Sequence, residues 1–200
     1  MNFDLNSRLF RGFTEVIQFI LLNFLFLIAC MPIITVAHAV SAIYHVTLNQ
    51  VEHQEGYIVK DFLKALTSEW KKKIIISLVF EAITIFLIFQ INFWLQFHTL
   101  IGFILCVVFL ILELLCFATF ILACCLMERF VNTTRQTIKN AFFMVLSSPI
   151  HTSMLLAIPL TMVALVYIST FFKLFAIVVG WSFVAYCNSY CILSLIKKFQ

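Results

Sequence analysis

Long apolar segments separated by short polar stretches are the feature that most constrains this sequence. Five of them are evident, and the last four approach or exceed the roughly 20 residues with which an α-helix crosses a hydrocarbon core of about 30 Å. These segments are residues 13–30, 74–97, 100–127, 150–170 and 171–196. Only 11% of the residues are charged and 64% are hydrophobic, so the expected solvent is a lipid bilayer rather than water.

A sixth segment, residues 33–48, is harder to classify because it carries Thr35, His38, Ser41 and His45. The distribution of Lys and Arg decides the question. If this segment crosses the bilayer, twelve of the thirteen basic residues fall on one side, and Lys173 alone falls on the other. The tendency of basic residues to stay in the cytoplasm favours that arrangement. The sequence therefore predicts an all-α fold: a single polytopic transmembrane bundle over residues 1–200, with six spans in three hairpins and both termini cytoplasmic.

The predicted cytoplasmic connections are longer than the outer ones. Residues 61–70 and 132–145 have the pattern of amphipathic helices that lie along the inner membrane surface. The cluster Lys71-Lys72-Lys73 directly precedes a span, so we expect its three charges to anchor that span at anionic headgroups.

The sequence contains none of the common enzyme motifs, such as H-E-x-x-H, G-x-S-x-G or a Walker loop. Its seven cysteines lack C-x-x-C or zinc spacing. We therefore predict no enzyme activity, no catalytic residue, no cofactor and no metal. The net charge of +4 comes from basic clusters between apolar runs rather than from one continuous face, which argues against nucleic-acid binding.

Polar residues at membrane depth remain as candidates for function, because burying them in lipid is costly. They are Thr35, His38, His45, Glu81, Gln90 and Glu113. Helical spacing places the first three, with Ala42, on one stripe that should face the bundle. Two interpretations stay open for the set: a solute path or proton relay, and interhelical hydrogen bonds that only hold the bundle together. For Glu113 we expect either a protonated carboxyl or a pairing with His38, His45 or Gln90.

The segment from Asn23 to Tyr44 also carries a resemblance. With Pro32, Thr35 and Ala42, it resembles the YesL-like family of small bacterial membrane proteins, with its pattern "L-N … P-x-x-T-x-G-A … A-L-Y". The family often has Gly where this chain has Ala37. Residues 56–62 and 138–142 are similar to that family as well. The resemblance implies a multi-pass protein of the bacterial plasma membrane, from genes commonly found beside carbohydrate ABC importers and glycan-degrading enzymes. It implies no cofactor or catalytic residue.

The leading functional hypothesis is a non-enzymatic accessory membrane subunit of a bacterial carbohydrate ABC import system, which contacts the permease subunits. The alternative is a substrate-binding membrane subunit, similar to the capture subunits of energy-coupling-factor transporters. Such a subunit needs an outward-open pocket with convergent polar groups. The short outer connections predicted for this chain leave few residues to build one. The sequence leaves the sugar and the oligomeric state open.

Overall fold

The computed structural model describes residues 5–52, 56–97, 99–130 and 132–199, with backbone alone over residues 5–13. This part of the chain is all-α, as the sequence predicts, and contains no strand. The helices are α1 Leu5–Cys30, α2 Val36–Val51, α3 Ile58–Thr67, α4 Trp70–Leu95, α5 Leu100–Arg129, α6 Thr134–Ser147, α7 Pro149–Ile168, α8 Thr170–Phe175 and α9 Trp181–Phe199. A 3-10 turn at Ile33–Thr35 precedes α2, and a π turn at Ala176–Gly180 joins α8 to α9.

Four helical segments are long and apolar enough to cross a membrane. They are α4, α5, α7 and the continuous segment Thr170–Phe199, which comprises α8, the π turn and α9. The chain thus has the character of a membrane protein. In α1 the apolar part, Thr14–Cys30, is a shorter helix than these four. Six crossings and the side on which each terminus lies stay predictions.

Helix α2 lies at the centre of the bundle rather than at its lipid-facing surface. It packs against α1, α3, α4, α5 and α9. Ten of its sixteen residues are buried, and several of them, including Ala37, Ala39, Ser41 and Ala42, are small enough to allow close helix packing. Sixteen residues rise by about 24 Å, less than the hydrocarbon core of about 30 Å. Of the polar residues that made this segment difficult to classify, His38 and Ser41 are therefore buried on a core helix, His45 is half-buried on it and Thr35 lies in the turn before it.

The two predicted amphipathic helices are present with slightly shifted bounds, as α3 and α6. Helix α3 is amphipathic. Its buried residues are Ile58, Phe62 and Ala65, and Lys60 and Lys64 are exposed. This buried face packs on α2 within the protein. The chain then turns at Glu69, a non-glycine residue with φ of 46°, and α4 begins at Trp70.

The π turn is held by one side chain of α1. Asn23 is fully buried, and its Nδ2 donates to the carbonyl oxygens of Ile177 at 2.7 Å and Ala176 at 3.3 Å. Its Oδ1 accepts from the backbone nitrogens of Trp181 at 3.0 Å and Ser182 at 3.1 Å. A wider helical turn leaves backbone groups without their usual partners, and unpaired groups are expensive in an apolar interior. Asn23, which stands out in the sequence only through a resemblance, satisfies four of them.

The basic residues of several helices meet at one end of the bundle, which we call the basic end. Lys73 contacts Glu128, Arg129 contacts Glu52, and Lys198 contacts Ser148 there. At the opposite end, α4 and α5 are joined by a short connection that begins at Gln96. Over residues 88–114 of this hairpin, the buried residues in the described part of the chain are Gly102 and Cys106. This half of the hairpin, the distal hairpin, therefore presents its apolar side chains outward.

Candidate functional site

The structure separates the six polar candidates into different places. Thr35 lies in the 3-10 turn after α1, where its Oγ1 donates to the carbonyl oxygens of Ala29 at 2.7 Å and Pro32 at 2.8 Å. These bonds satisfy carbonyl groups that have no hydrogen-bond partner at the end of a helix. Thr35 thus has a local structural role. Gln90 lies elsewhere, half-buried on α4, nine residues beyond Glu81.

His38 is fully buried in α2, and its ring lies 4.4 Å from the ring of Trp70. Within the described part of the chain, neither ring nitrogen makes a hydrogen bond. We interpret His38 as a packing residue of the core.

His45 belongs to a charge cluster at the basic end, formed by side chains from α2, α4 and α5. Lys73 has no exposed surface, and its Nζ lies 2.5 Å from Oε1 of Glu128. The other carboxylate oxygen of Glu128, Oε2, lies 3.6 Å from Nδ1 of His45. Ser68, between α3 and α4, accepts from Lys73 Nζ at 2.9 Å. This cluster ties four helices together, because Ser68 adds the end of α3 to the other three.

The cluster corrects the expectation for Lys71-Lys72-Lys73. Lys71 is exposed. Lys72 is half-buried and pairs with Glu69 at 2.7 Å. Lys73 instead points into the bundle, so it cannot contact headgroups. Sequence reasoning missed Glu128 because an acidic residue beside Arg129 at the end of a span is also typical of a solvated interface.

A small cavity of about 200 Å³ adjoins this cluster and is lined by His45, Asn49, Glu52, Glu128 and Arg129. Arg129 Nη2 lies 2.7 Å from Oε2 of Glu52, and Asn49 Nδ2 lies 3.4 Å from Nε2 of His45. The polar groups that line the cavity are largely paired with one another. This arrangement favours a structural role for the cluster over a ligand site.

Glu81 and Glu113 come together at a second cavity, on the hairpin of α4 and α5. This acidic cavity, about 180 Å³ in volume, is lined by Val36, Phe80, Glu81, Thr84, Glu113, Cys116, Phe117 and Phe120. Glu81 Oε1 accepts from Ser77 Oγ at 2.7 Å. Glu113 Oε2 is buried and has no hydrogen-bond partner in the described part of the chain.

The predicted pairing of Glu113 with His38, His45 or Gln90 is therefore not observed. The reason is geometric, since His45 lies with Glu128 at the basic end and His38 lies against Trp70. Instead, two carboxyl groups from neighbouring helices line one mainly apolar cavity. Such a site can accept hydrogen bonds or hold one positive charge.

Among the described residues, no group of three or more His, Cys, Asp or Glu side chains is arranged to hold a metal ion. The seven cysteines are free, and Cys124 and Cys125 are fully buried in the core. The chemically distinctive feature of the molecule is thus the acidic cavity.

Comparison with known proteins agrees with the resemblance noted in the sequence. Residues 19–92 match the family model described as "Protein of unknown function, DUF624". The matched segment contains the last twelve residues of α1, the central helix α2, α3 and most of α4, including Asn23, His45, Lys73 and Glu81. Neither a curated protein nor a solved structure matches the chain. The match covers Asn23 to Tyr44 and confirms the resemblance noted there, and its description assigns no function.

Proposed function

We propose that this protein is a non-enzymatic accessory membrane subunit of a bacterial carbohydrate ABC import system. In this proposal the chain crosses the plasma membrane six times with both termini in the cytoplasm. It binds a permease subunit through its distal hairpin and the acidic cavity beside it. The link to carbohydrate import rests on the resemblance noted in the sequence, and the mode of binding rests on the geometry of α4 and α5.

The observation that carries the proposal is the unpartnered carboxyl of Glu113 in the acidic cavity. A buried acceptor without a partner costs about 1–3 kcal/mol in most proteins. A permease helix that supplies a Lys, Arg or hydroxyl side chain would remove this cost. The outward-facing apolar residues of the distal hairpin, such as Phe89, Leu100 and Phe103, would pack against the same helix.

A substrate-binding membrane subunit is the second candidate, and the same cavity is the observation that favours it. Glu81, Thr84 and Glu113 supply the convergent polar groups that a ligand site needs. The volume of about 180 Å³ argues against a sugar, since ligand pockets usually measure about 300–1,000 Å³. A single amino or guanidino group of a partner protein fits the volume better.

Substitution of Glu113 tests the proposal. We expect Glu113→Leu to reduce crosslinking to the permease by about tenfold or more in native membranes, because it removes the polar acceptor. Glu113→Gln keeps a hydrogen-bonding side chain and should retain more of the crosslinking. Both variants should unfold in detergent within a few degrees of the parent, since Glu113 Oε2 has no partner in the described part of the chain.

Thr161→Leu is the matched control, because Thr161 is exposed on α7, outside the proposed binding surface, and donates to the Ile158 carbonyl of its own helix at 2.8 Å. Unchanged crosslinking of the Glu113→Leu variant would refute this binding mode. If the parent protein, purified alone, binds a sugar and the Glu113→Leu variant does not, the result would instead support a substrate-binding subunit.

The proposed topology predicts that cysteines placed at positions 2 and 199 resist membrane-impermeant reagents added outside intact cells. Position 2 lies outside the described residues, so its placement rests on the charge distribution alone. The cysteine-free background should use Ala at Cys124 and Cys125, because both side chains are fully buried. Labelling of either terminus from outside would contradict the six-span arrangement, and labelling after permeabilisation is the positive control.

A further inference from the structure

We propose that the cavity between α5, α6 and α9 at the basic end binds an anionic phospholipid. This cavity, the lipid cavity, has a volume of about 340 Å³. Its walls are mainly apolar side chains, among them Leu126, Phe130, Phe143 and Ile196. Two amide side chains, Asn132 and Asn140, also line it. Apolar walls with a few polar groups suit a molecule that has both a hydrocarbon part and a polar headgroup.

The lipid cavity lies at the depth where headgroups are expected. Helix α5 has 30 residues, which span about 45 Å, whereas the hydrocarbon core measures about 30 Å. Helix α5 is therefore longer than the hydrocarbon core is thick, and we place its last turn, which carries Glu128 and Arg129, in the headgroup layer. Leu126 and Phe130 lie at this end of α5 and line the lipid cavity.

Lysines lie next to several residues that line the lipid cavity, and in this proposal they supply the charge that selects an anionic headgroup. Lys72 Nζ donates to the carbonyl oxygen of Asn132 at 3.1 Å, in addition to its contact with Oε1 of Glu69 at 2.7 Å. Lys139 Nζ lies 5.8 Å from the ring centre of Phe143. On α9, Lys197 and Lys198 directly follow the lining residue Ile196. Basic pockets between membrane helices at the headgroup layer are known sites for anionic lipids.

Charge complementarity distinguishes a phospholipid from the other occupants of such a cavity. A free phosphate ion would satisfy the lysines but would leave the apolar walls in contact with water. A neutral lipid would satisfy the walls but would gain nothing from Lys72 and Lys139. An anionic phospholipid satisfies both, with its phosphate near the lysines and the Asn132 and Asn140 amides and its acyl chain against Phe130 and Phe143.

The test compares binding of phosphatidylglycerol and phosphatidylcholine to the full-length protein by native mass spectrometry after release from detergent micelles. We expect phosphatidylglycerol to bind more tightly to the parent protein. The Lys72→Gln/Lys139→Gln variant should bind it about thirtyfold less tightly, since each lysine near an anionic surface contributes a factor of about five. Binding of phosphatidylcholine should hardly change.

Lys60→Gln/Lys64→Gln is the matched control, because it removes the same charge from exposed positions of α3 that do not line the lipid cavity. Equal losses in the two double variants would overturn the proposal, because they would reflect net charge alone. Equal binding of the two lipids by the parent would overturn it as well.

Asn140→Trp provides an independent arm, since it fills the lipid cavity from an exposed position without a change of charge. We expect this variant to lose phosphatidylglycerol as well, and full retention would contradict the site. Inorganic phosphate that displaces the lipid at millimolar concentration would identify a phosphate site rather than a lipid site.

Discussion

Glu128→Gln, although nearly isosteric, is expected to destabilise the protein strongly. It leaves the Lys73 ammonium buried without its counter-ion, although Ser68 Oγ and the Ala65 carbonyl oxygen still accept hydrogen bonds from it. Removing one partner of a buried ion pair typically costs about 3–5 kcal/mol. The free energy of unfolding in mixed detergent micelles, measured by titration with a denaturing detergent, should fall by about that amount.

Two further variants separate this effect from a general loss of charge. Lys73→Met/Glu128→Leu removes both charges and should restore much of the stability, because apolar replacement of a buried pair is often nearly neutral. Lys72→Met breaks a pair whose side chains are about one-third exposed, and pairs of this kind contribute about 0–1 kcal/mol. If Glu128→Gln costs no more than Lys72→Met, the cluster does not hold the bundle together.

Asn23→Leu is expected to have the second largest effect, with a loss of roughly 3 kcal/mol or more in the free energy of unfolding. The substitution removes the partner of two carbonyl oxygens in the π turn, those of Ala176 and Ile177, and of the first two backbone nitrogens of α9. Each buried group left unpaired costs about 1–3 kcal/mol, partly relieved by rearrangement. The same unfolding titration should show the loss, and hydrogen exchange should show faster exchange at the Trp181 and Ser182 amides.

Asn23→Asp tests the role of each atom of the amide. An aspartate retains an acceptor for the Trp181 and Ser182 nitrogens but loses the donor to the Ile177 carbonyl. Asn92→Leu, on the exposed surface, serves as control with an expected change near zero. Normal exchange at Trp181 and Ser182 in the Asn23→Leu variant would show that the π turn does not depend on this contact.

The helical part of the fold could be predicted from the sequence because hydropathy is a local property. A run such as residues 100–127 buries its backbone polar groups within its own helix, so its membrane character does not depend on its neighbours. The same reasoning located the amphipathic helix α3, whose buried face of Ile58, Phe62 and Ala65 repeats with helical spacing. Asn23, by contrast, was noted in the sequence only as part of a resemblance, and its hydrogen bonds to the π turn could not be predicted.

Partners across the bundle could not be predicted in this way. Whether Lys73 meets lipid or Glu128 depends on the rotation of α4 about its axis and on its height beside α5, and neither quantity is encoded in one segment alone. The same uncertainty applies to the alternative in which Glu113 pairs with His38, His45 or Gln90, a pairing that the structure does not show. From the sequence, four side chains are costly to bury in a membrane: His38, His45, Glu81 and Glu113. Only tertiary packing decided that two of these, Glu81 and Glu113, line one cavity.

By itself, then, the sequence determined that the chain is helical and apolar enough for a membrane, where its helices run and which side chains are expensive to bury. Tertiary structure alone decided that α2 occupies the centre, that Asn23 satisfies the π turn and that Lys73 pairs with Glu128. The physical reason is that hydrophobic burial is set by composition along the chain. Hydrogen bonds and ion pairs instead require particular atoms to approach within about 3 Å, and only the assembled bundle provides that geometry.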